Sequence, residues 1–484
     1  MKQRLLGIVY EPGNFQPMRL VAQSGAESGK FDMILWSPYA LAGGDQYREE
    51  ALAAGSLYVE ETTKLGSLAD IHSPLSSWLT GKPARLPLEP PAKRQRFFAT
   101  PAPAEKVMAA LDQERRQDVL RAADLCERRT RFCEDWLVKL GIDAILFAED
   151  NVERDSFAWI AAARRRRIRT VVTSYGALSA TEAEAAYSSS PAHQISGREL
   201  DLVRKHLPRW LRQGEGYAIT RLPFVEMMGR ELFGLAPFDP WLVNSNGVDA
   251  IALESRSAAR IYGSYGFPAD QLQPVGHPLH DRLAEVRSQR MELRAELAAR
   301  HGHDPSAPLI VVAMPPDQLG SRPSPFGSYL ELMEAFALIP ERLTQAAVIV
   351  SPHPNISDQD KQALIARGAK LEDTSVANLL PLADLYLACV SSTIKWALGL
   401  GIPVIDFDCY SYRYSEYRSL PQVESVETAA ELKSALEKWS IPEERARLED
   451  AARKESAEWG EIDGHALERV VGLTIGNSLR GPHV

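Results

Sequence analysis

Runs of apolar residues recur along the chain and alternate with charged, amphipathic segments. Most of the runs are short, rich in valine, isoleucine and leucine, and bounded by glycine, proline or charged residues, which is typical of strands buried on both faces of a parallel sheet. They predict strands at residues 5–11, 32–39, 56–60, 144–150, 170–175 and 248–255, and again at 307–316, 346–355, 385–390 and 404–407. The alternation predicts an α/β fold with two Rossmann-like, parallel-sheet domains that face each other across a cleft.

Two longer segments have a helical pattern. Residues 104–140 are strongly charged but carry an apolar stripe at helical spacing, which indicates one packed helix. The stripe consists of Val107, Leu111, Val119, Ala122, Leu125, Phe132 and Trp136. The pattern over residues 441–479 predicts helices without a third sheet. We therefore expect an N-terminal domain at residues 1–285, a second domain at 286–440, and a helical tail at 441–484 that packs back on the N-terminal domain.

The most informative stretch is residues 385–407, where a predicted strand leads directly into a short helix and then into a second strand. Ser391 and Ser392 are suitable N-cap residues, and Gly401 with Pro403 ends the helix. Such a junction leaves free backbone amides and the positive end of the helix dipole at the carboxyl edge of the sheet, where α/β proteins hold phosphates. From the spacing alone, an ordinary capped crossover helix explains the pattern equally well.

Composition narrows the class of protein. The 484 residues are 45% hydrophobic and 25% charged, and the net charge of −9 argues against general nucleic-acid binding. Four cysteines without a C-x-x-C pair, a short amino-terminal apolar run and no stretch of membrane-span length predict a cytoplasmic protein. The arginines at 164–167 are either solvated or dock on the inner face of the cell membrane. No metal-ligand spacing occurs, so we expect no metal and no cofactor.

Acidic residues follow several predicted strands. Glu149 and Asp150 end the strand at 144–150, and Glu11 ends the first strand. Carboxylates at such an edge are candidates for general acid or base chemistry, because burial in a site raises the pKa of a carboxylate. Asp150 has the alternative role of a helix N-cap.

Two histidines stand next to prolines. His353 lies between Pro352 and Pro354 at a strand end, and His277 lies in a Gly-His-Pro sequence. A fixed imidazole suits phosphate contact or proton transfer, although either ring can also serve only in packing.

The order of these motifs resembles that of nucleotide-sugar enzymes of the GT-B architecture, over roughly residues 144–407. The nearest look-alikes are the non-hydrolysing UDP-N-acetylglucosamine 2-epimerases and the transferases that build surface polysaccharides from glycosyl or glycerophosphate units. By this resemblance, Gly276, His277, Pro278 and Asp281 close the first domain, while His353-Pro354 and Ser391-Ser392 line the nucleotide cleft. The chain departs from the epimerases on the last helix, where paired glutamates are replaced by Lys395 and Trp396.

The resemblance implies a metal-independent glycosyltransferase that acts on a nucleotide-sugar donor and a surface-glycan or glycoconjugate acceptor. The second domain would bind the donor's phosphates through the residues Ser391, Ser392, Thr393, His353, Lys395 and His277. The first domain would bind the acceptor, with Glu149, Asp150 or Glu11 as the catalytic base. A nucleotide-sugar 2-epimerase or hydrolase and a non-catalytic nucleotide-sugar-binding subunit are the alternatives. The donor sugar, the nucleotide base and the oligomeric state stay open.

Overall fold

The computed structural model describes residues 2–41, 44–61, 102–173, 180–353, 355–413 and 415–476. Pro354, the last two residues of the predicted strand 170–175 and the end of the predicted tail lie outside these ranges. The chain forms two compact units. The first contains Met1–Leu253, Ala259–Gln273 and Glu468–Val484, and the second contains Glu254–Ala258 and Pro274–Leu467.

The first unit is built on a seven-stranded sheet with the order β3-β2-β1-β4-β5-β8-β9. Its strands are β1 (Gln3–Ile8), β2 (Phe31–Ser37), β3 (Leu57–Glu60), β4 (Ala144–Phe147), β5 (Arg169–Thr173), β8 (Ala250–Leu253) and β9 (Leu272–Pro274), while β6 (Leu211–Gly214) and β7 (Tyr217–Thr220) form a separate antiparallel hairpin. All pairs from β3 to β8 are parallel. The strand order reverses direction between β1 and β4, and α/β sheets bind ligands beyond the carboxyl ends of the strands at such a switch point.

The helices of this unit connect its strands. They are α1 (Pro12–Ser28), α2 (Gly44–Ala53), α3 (Ala102–Ala110), α4 (Gln113–Leu140), α5 (Ser156–Arg165), α6 (Ala180–Tyr187), α7 (Gly197–His206), α8 (Phe224–Leu232) and α9 (Arg256–Ser264). Helix α1 starts with Pro12, whose fixed φ suits the first helical turn, and it ends at Gly29, whose positive φ of 66° closes the helix. Two of the arginines at the end of α5 form ion pairs within the protein, since Arg165 and Arg166 both pair with Glu134.

The prediction of a single helix at 104–140 is wrong, because the helix is interrupted at Leu111 and Asp112 and forms α3 and α4. Asp112 is extended and its carboxylate accepts a hydrogen bond from the Arg115 amide at 2.8 Å, so it starts a new helix. The buried face of α4 also differs from the predicted stripe. Leu125, expected in the apolar stripe, is 60% exposed, while its neighbour Cys126 is buried.

The second unit is built on a five-stranded parallel sheet with the order β11-β10-β12-β13-β14. The strands are β10 (Leu309–Ala313), β11 (Ala347–Ser351), β12 (Leu385–Ala388), β13 (Val404–Phe407) and β14 (Val423–Val426). Here the order reverses between β10 and β12, which again marks the expected place for a ligand. Strand β14 was not predicted, because its sequence VESV is short and half polar.

Helices cover both faces of this sheet. They are α10 (Leu279–Ser288), α11 (Arg290–His301), α12 (Tyr329–Leu343), α13 (Asp358–Ile365), α14 (Val376–Leu379), α15 (Thr393–Leu400), α16 (Ser415–Arg418), α17 (Ala429–Ser440) and α18 (Pro442–Trp459). A further helix, α19 (Ala466–Ile475), belongs to the first unit from Glu468 onward. One apolar layer contains Phe336, Phe407 and Trp439, and the other contains Tyr386 and Trp396. In the part of the chain that the structure describes, no helix is both long and apolar enough to cross a membrane.

The C-terminal segment is helical, as the sequence predicts, but it forms two helices, α18 and α19. Asp281 fixes the start of α19, because its carboxylate accepts hydrogen bonds from the amides of Ala466 at 2.8 Å and Leu467 at 3.0 Å. The aspartate of the Gly-His-Pro-x-x-Asp motif therefore caps a helix that is distant in sequence.

Candidate functional site

The turn that joins β12 to α15 lies at the switch point of the second sheet. Residues 391–393, which we call the phosphate seat, carry three hydroxyl groups. Ser391 and Ser392 are half-buried, and their backbone amides have no hydrogen-bond partner among the described residues. Free amides and hydroxyl groups at a helix amino end attract anions. These are the features of residues 391–393 on which the predicted phosphate site depends.

The capping contact in this turn comes from Ser391. Its Oγ accepts a hydrogen bond from the Thr393 amide at 3.3 Å and lies 2.7 Å from Thr393 Oγ1, which also bonds the buried Tyr386 hydroxyl. Ser392 occupies the N-cap position, yet its side chain makes no capping bond. Its backbone is already helical, at φ −58° and ψ −24°, whereas a capping side chain normally needs an extended backbone. The Ser392 hydroxyl is therefore not used by the helix.

Two aspartates behind the turn were missed by the sequence analysis. Asp406 is 2% exposed, and its Oδ1 accepts a hydrogen bond from the Val390 amide at 2.9 Å. Burial, and then the charge of Asp408, raise the pKa of Asp406 to about 7. Asp408 accepts hydrogen bonds from the amides of Tyr412 at 2.8 Å and Arg413 at 2.6 Å. Asp406 lies within the apolar run of β13, so periodicity gave no signal for it.

Lys395 and His277 are more enclosed than the predicted phosphate contacts suggest. Lys395 is 4% exposed, and its Nζ lies 3.1 Å from Glu254 Oε1 in an ion pair. His277 is 2% exposed, and burial followed by the charge of His280 lowers its pKa to about 3. At neutral pH the His277 ring is therefore uncharged. The roles of both residues in phosphate binding stay predictions.

His353 follows β11, at the strand end next to β10. It is half-buried, and burial lowers its pKa, so the ring is neutral at pH 7. Its Nδ1 accepts a hydrogen bond from the Asn355 amide at 3.1 Å. The proton of the neutral ring is therefore on Nε2, which can donate a hydrogen bond to a ligand.

The loop after β10 adds a cation that the sequence analysis also missed. The Arg322 guanidinium lies 4.0 Å from the centroid of the Tyr412 ring, and the Tyr412 hydroxyl bonds Gln318. Arg322 is half-buried and has no carboxylate partner in the described ranges. No local sequence signal marks it, because the contact depends on two loops from different strands meeting at one sheet edge.

In the first unit, Glu11 and Glu149 follow the adjacent strands β1 and β4, so both lie at the switch point of that sheet. Glu149 is half-buried, and burial raises its pKa, while the charge of Glu11 adds to the same effect. Asn151 donates a hydrogen bond to Glu149 Oε1 at 3.0 Å, and Arg154 lies 3.9 Å from Glu11. The structure therefore brings two of the three predicted acid–base candidates together.

Asp150 is engaged inside the first unit. It is fully buried, and its carboxylate accepts hydrogen bonds from the Ser156 hydroxyl at 2.5 Å and from the Asn246 amide at 3.0 Å and side chain at 2.6 Å. Burial raises its pKa, and these hydrogen bonds act in the opposite direction. Through these contacts Asp150 fixes the 244–246 loop to the end of β4. Its catalytic role stays a prediction.

Comparison with solved structures identifies the fold. The chain matches a UDP-GlcNAc 2-epimerase from Neisseria meningitidis bound to UDP-GlcNAc at a TM-score of 0.52 and 12% identity, covering 98% of this chain and 100% of that one. A putative UDP-N-acetylglucosamine 2-epimerase from Listeria monocytogenes matches at 0.50 and 12%, covering 98% and 95%. The wall teichoic acid polymerase TagF, as a histidine-to-asparagine variant soaked with CDPG, matches at 0.52 and 10%, covering 98% and 88%.

No family model matches the sequence, and no curated protein matches it. The structural similarity extends over almost the whole chain at low identity, so it shows the fold. The protein has the two-domain α/β fold of the GT-B nucleotide-sugar enzymes, as the sequence predicts.

Proposed function

We propose that this protein is a metal-independent glycosyltransferase that transfers a sugar from a nucleotide-sugar donor to a surface-glycan or glycoconjugate acceptor. The observation that carries the proposal is the phosphate seat. Two backbone amides that have no partner among the described residues lie together with the Ser392 hydroxyl and the amino end of α15 at the switch point of a parallel sheet. The diphosphate of a nucleotide-sugar donor suits such a turn, because amides and a helix dipole stabilise negative charge.

Transfer leaves a nucleoside diphosphate, so negative charge on the phosphates grows as the bond to the sugar breaks. In this proposal, the dipole of α15 and the Arg322 guanidinium stabilise that charge in place of a metal ion. His353 contributes a hydrogen bond from Nε2. Because its ring is neutral, it contributes no charge.

Glu149 is the best-supported base for the acceptor hydroxyl. A catalytic base works best when its pKa lies near the working pH, and burial raises the pKa of Glu149 toward that range. Glu11 is its nearest competitor, since it lies at the same switch point and is more exposed, at 45% of its side chain. Asp150 is the third candidate, and its buried hydrogen bonds make it the least accessible.

One observation favours transfer over epimerisation. The resemblance places paired glutamates on the last helix of the epimerases, but α15 has the sequence TIKWALGL and carries no acid. Lys395 is paired with Glu254, and Trp396 packs in the apolar core. A nucleotide-sugar 2-epimerase or hydrolase is therefore the second candidate. A non-catalytic binding subunit is the third, and it would not need a carboxylate with a raised pKa.

Two experiments test the proposal. A thermal-shift screen with UDP, CMP, CDP, GDP and dTDP comes first, since a ligand at a hundred times its dissociation constant stabilises the folded state by about 2.7 kcal/mol. A response to none of the five would overturn donor binding. Incubation with UDP-N-acetylglucosamine alone comes second. Free UDP or a second sugar would indicate the hydrolase or epimerase, whereas a transferase leaves the donor largely intact until an acceptor is added.

A further inference from the structure

Val390 has an unusual backbone conformation just before the phosphate seat. Its φ is +39°, in the left-handed region, which a β-branched residue avoids because its side chain clashes with the backbone. Such strain persists only where surrounding contacts enforce it. In this conformation the Val390 amide donates a hydrogen bond to Asp406 Oδ1 at 2.9 Å.

The position of Asp406 follows from the strand register. Asp406 pairs with Ala388, the last residue of β12, so its side chain is placed to reach the chain just beyond that strand. It is 2% exposed, in a sheet where the neighbouring positions of β13 are apolar. A buried carboxylate is costly unless it serves a contact that an apolar side chain cannot make.

The geometry points to Asp406 as a positioning residue of the phosphate seat, which rests on the proposed function above. Its carboxylate holds the Val390 amide and so keeps Val390 in the left-handed region. That conformation ends β12 and turns the chain so that Ser391 and Ser392 present their free amides at the sheet edge. Thr393 is held separately by the Tyr386 hydroxyl. Asp406 therefore sets the direction of the turn without touching the donor.

Two ionisable groups shift the pKa of Asp406, and a third, Cys389, is itself affected by the charge of Asp406. Asp408 raises the pKa of Asp406, and Arg418 on α16 lowers it. Cys389, at the end of β12, is buried, and its own pKa is raised, first by its contact with Cys409 and then by burial. A neutral thiol does not compete for the Val390 amide. The carboxylate is therefore the group on which the turn depends.

The test compares two substitutions of similar size. Asp406→Asn keeps an oxygen that can accept the Val390 hydrogen bond, whereas Asp406→Leu removes the acceptor and leaves an apolar side chain suited to the core. We expect Asp406→Leu to weaken UDP binding, measured by calorimetry, by about tenfold or more, and Asp406→Asn to stay within about threefold of the parent. Adding Val390→Gly to Asp406→Leu should restore part of the affinity, because glycine adopts a positive φ without strain.

Hydrogen exchange separates this inference from the proposed function, since it needs no ligand. In Asp406→Leu, the Val390 and Thr393 amides, which are hydrogen-bonded in the parent, should exchange about tenfold faster, while β10 stays protected and shows that the unit is folded. If UDP fails to bind the parent, donor binding is overturned, and the exchange result alone decides the role of Asp406. Unchanged exchange of these two amides in Asp406→Leu, or an Asn variant as impaired as the Leu variant, would overturn the inference.

Discussion

Glu149 and Glu11 differ in environment although they lie at one sheet edge. Glu149 is half-buried and its pKa is raised, whereas the Glu11 side chain is 45% exposed and lies near Arg154. We expect Glu149→Gln to lower turnover by about 10²–10⁴-fold, because the acceptor hydroxyl loses its base, with donor affinity within about twofold of the parent. The parent's rate should fall as the pH drops through the raised pKa of Glu149, since a base must be unprotonated. Steady-state kinetics with Glu11→Gln as control checks this, and a larger loss in that control would move the role to Glu11.

Asp406 allows a prediction on stability at the same scale. Its pKa is about 7 in the folded protein, against an ordinary value of 3.8, so the folded state binds the proton more tightly than the unfolded state. The contribution of Asp406 to stability is therefore greatest below about pH 4, falls as the pH rises to about 7, and stays lost above that. Asp406→Asn removes this penalty. It should raise the free energy of unfolding at pH 8 by up to about 4 kcal/mol and change it little at pH 4.

Urea unfolding at the two pH values measures this difference. Asp384→Asn is a control of opposite sign, because hydrogen bonds to the Leu309 amide and to Arg294 outweigh burial and lower the pKa of Asp384. That variant should be less stable than the parent at pH 8. If the gain in stability of Asp406→Asn over the parent is no larger at pH 8 than at pH 4, the raised pKa of Asp406 is contradicted.

At the scale of single elements, the sequence predicts the strands well and their ends poorly. The run at 404–407 matches β13 residue for residue, but the runs ending at Glu11, Asp150 and Val390 continue beyond β1, β4 and β12. The residues just after these strands were predicted as strand because the apolar composition continues past the point where pairing between the strands ends. The helix break at Asp112 escaped for a similar reason, since an aspartate on a charged helix looks like a solvated residue until its carboxylate is seen to cap the Arg115 amide.

The two serines at the start of α15 differ in their contacts. Ser391 accepts the Thr393 amide, while the Ser392 hydroxyl makes no capping bond. We expect Ser391→Ala to lower the free energy of unfolding by about 1 kcal/mol. Ser392→Ala should leave stability within about 0.5 kcal/mol of the parent but weaken nucleotide binding roughly tenfold, through loss of a hydroxyl contact to a phosphate oxygen. Thermal melts and calorimetric titration of both variants decide this. Unchanged affinity in Ser392→Ala would reduce the turn to an ordinary helix start.

At the scale of the whole molecule, local patterns predicted two parallel-sheet domains but not the contacts that join distant segments within each unit. Residues 254–258 are grouped with the second unit, although β8 just before them belongs to the first. Asp281 caps a helix that starts at Ala466. Arg322 meets Tyr412 from another loop. Each contact depends on strand order and register, which hydrophobic periodicity does not encode. The sequence accordingly predicted a phosphate site at residues 391–393 but missed Asp406 and Arg322.

The ion pair between Lys395 and Glu254 is one such long-range contact within the second unit. Its atoms lie 3.1 Å apart, and the two side chains are 4% and 10% exposed. Removing one partner deprives the other of this buried ion pair, so Lys395→Met or Glu254→Gln alone should cost about 3–5 kcal/mol of stability, whereas Lys395→Met combined with Glu254→Gln should cost much less than the two losses added together. A double-mutant cycle by urea unfolding measures this coupling, and additive losses would contradict it.

The same variants decide whether Lys395 also binds the donor. Its ammonium is neutralised by Glu254, so we expect UDP affinity in the double variant to stay within about threefold of the parent, with the ion pair acting in stability alone. Direct phosphate contact, as the sequence predicts for Lys395, requires a different outcome. The double variant would then bind UDP about tenfold or more weakly, while Glu254→Gln, which leaves the ammonium without this carboxylate, would bind it more tightly. Calorimetry below the melting temperature of each variant separates the two outcomes.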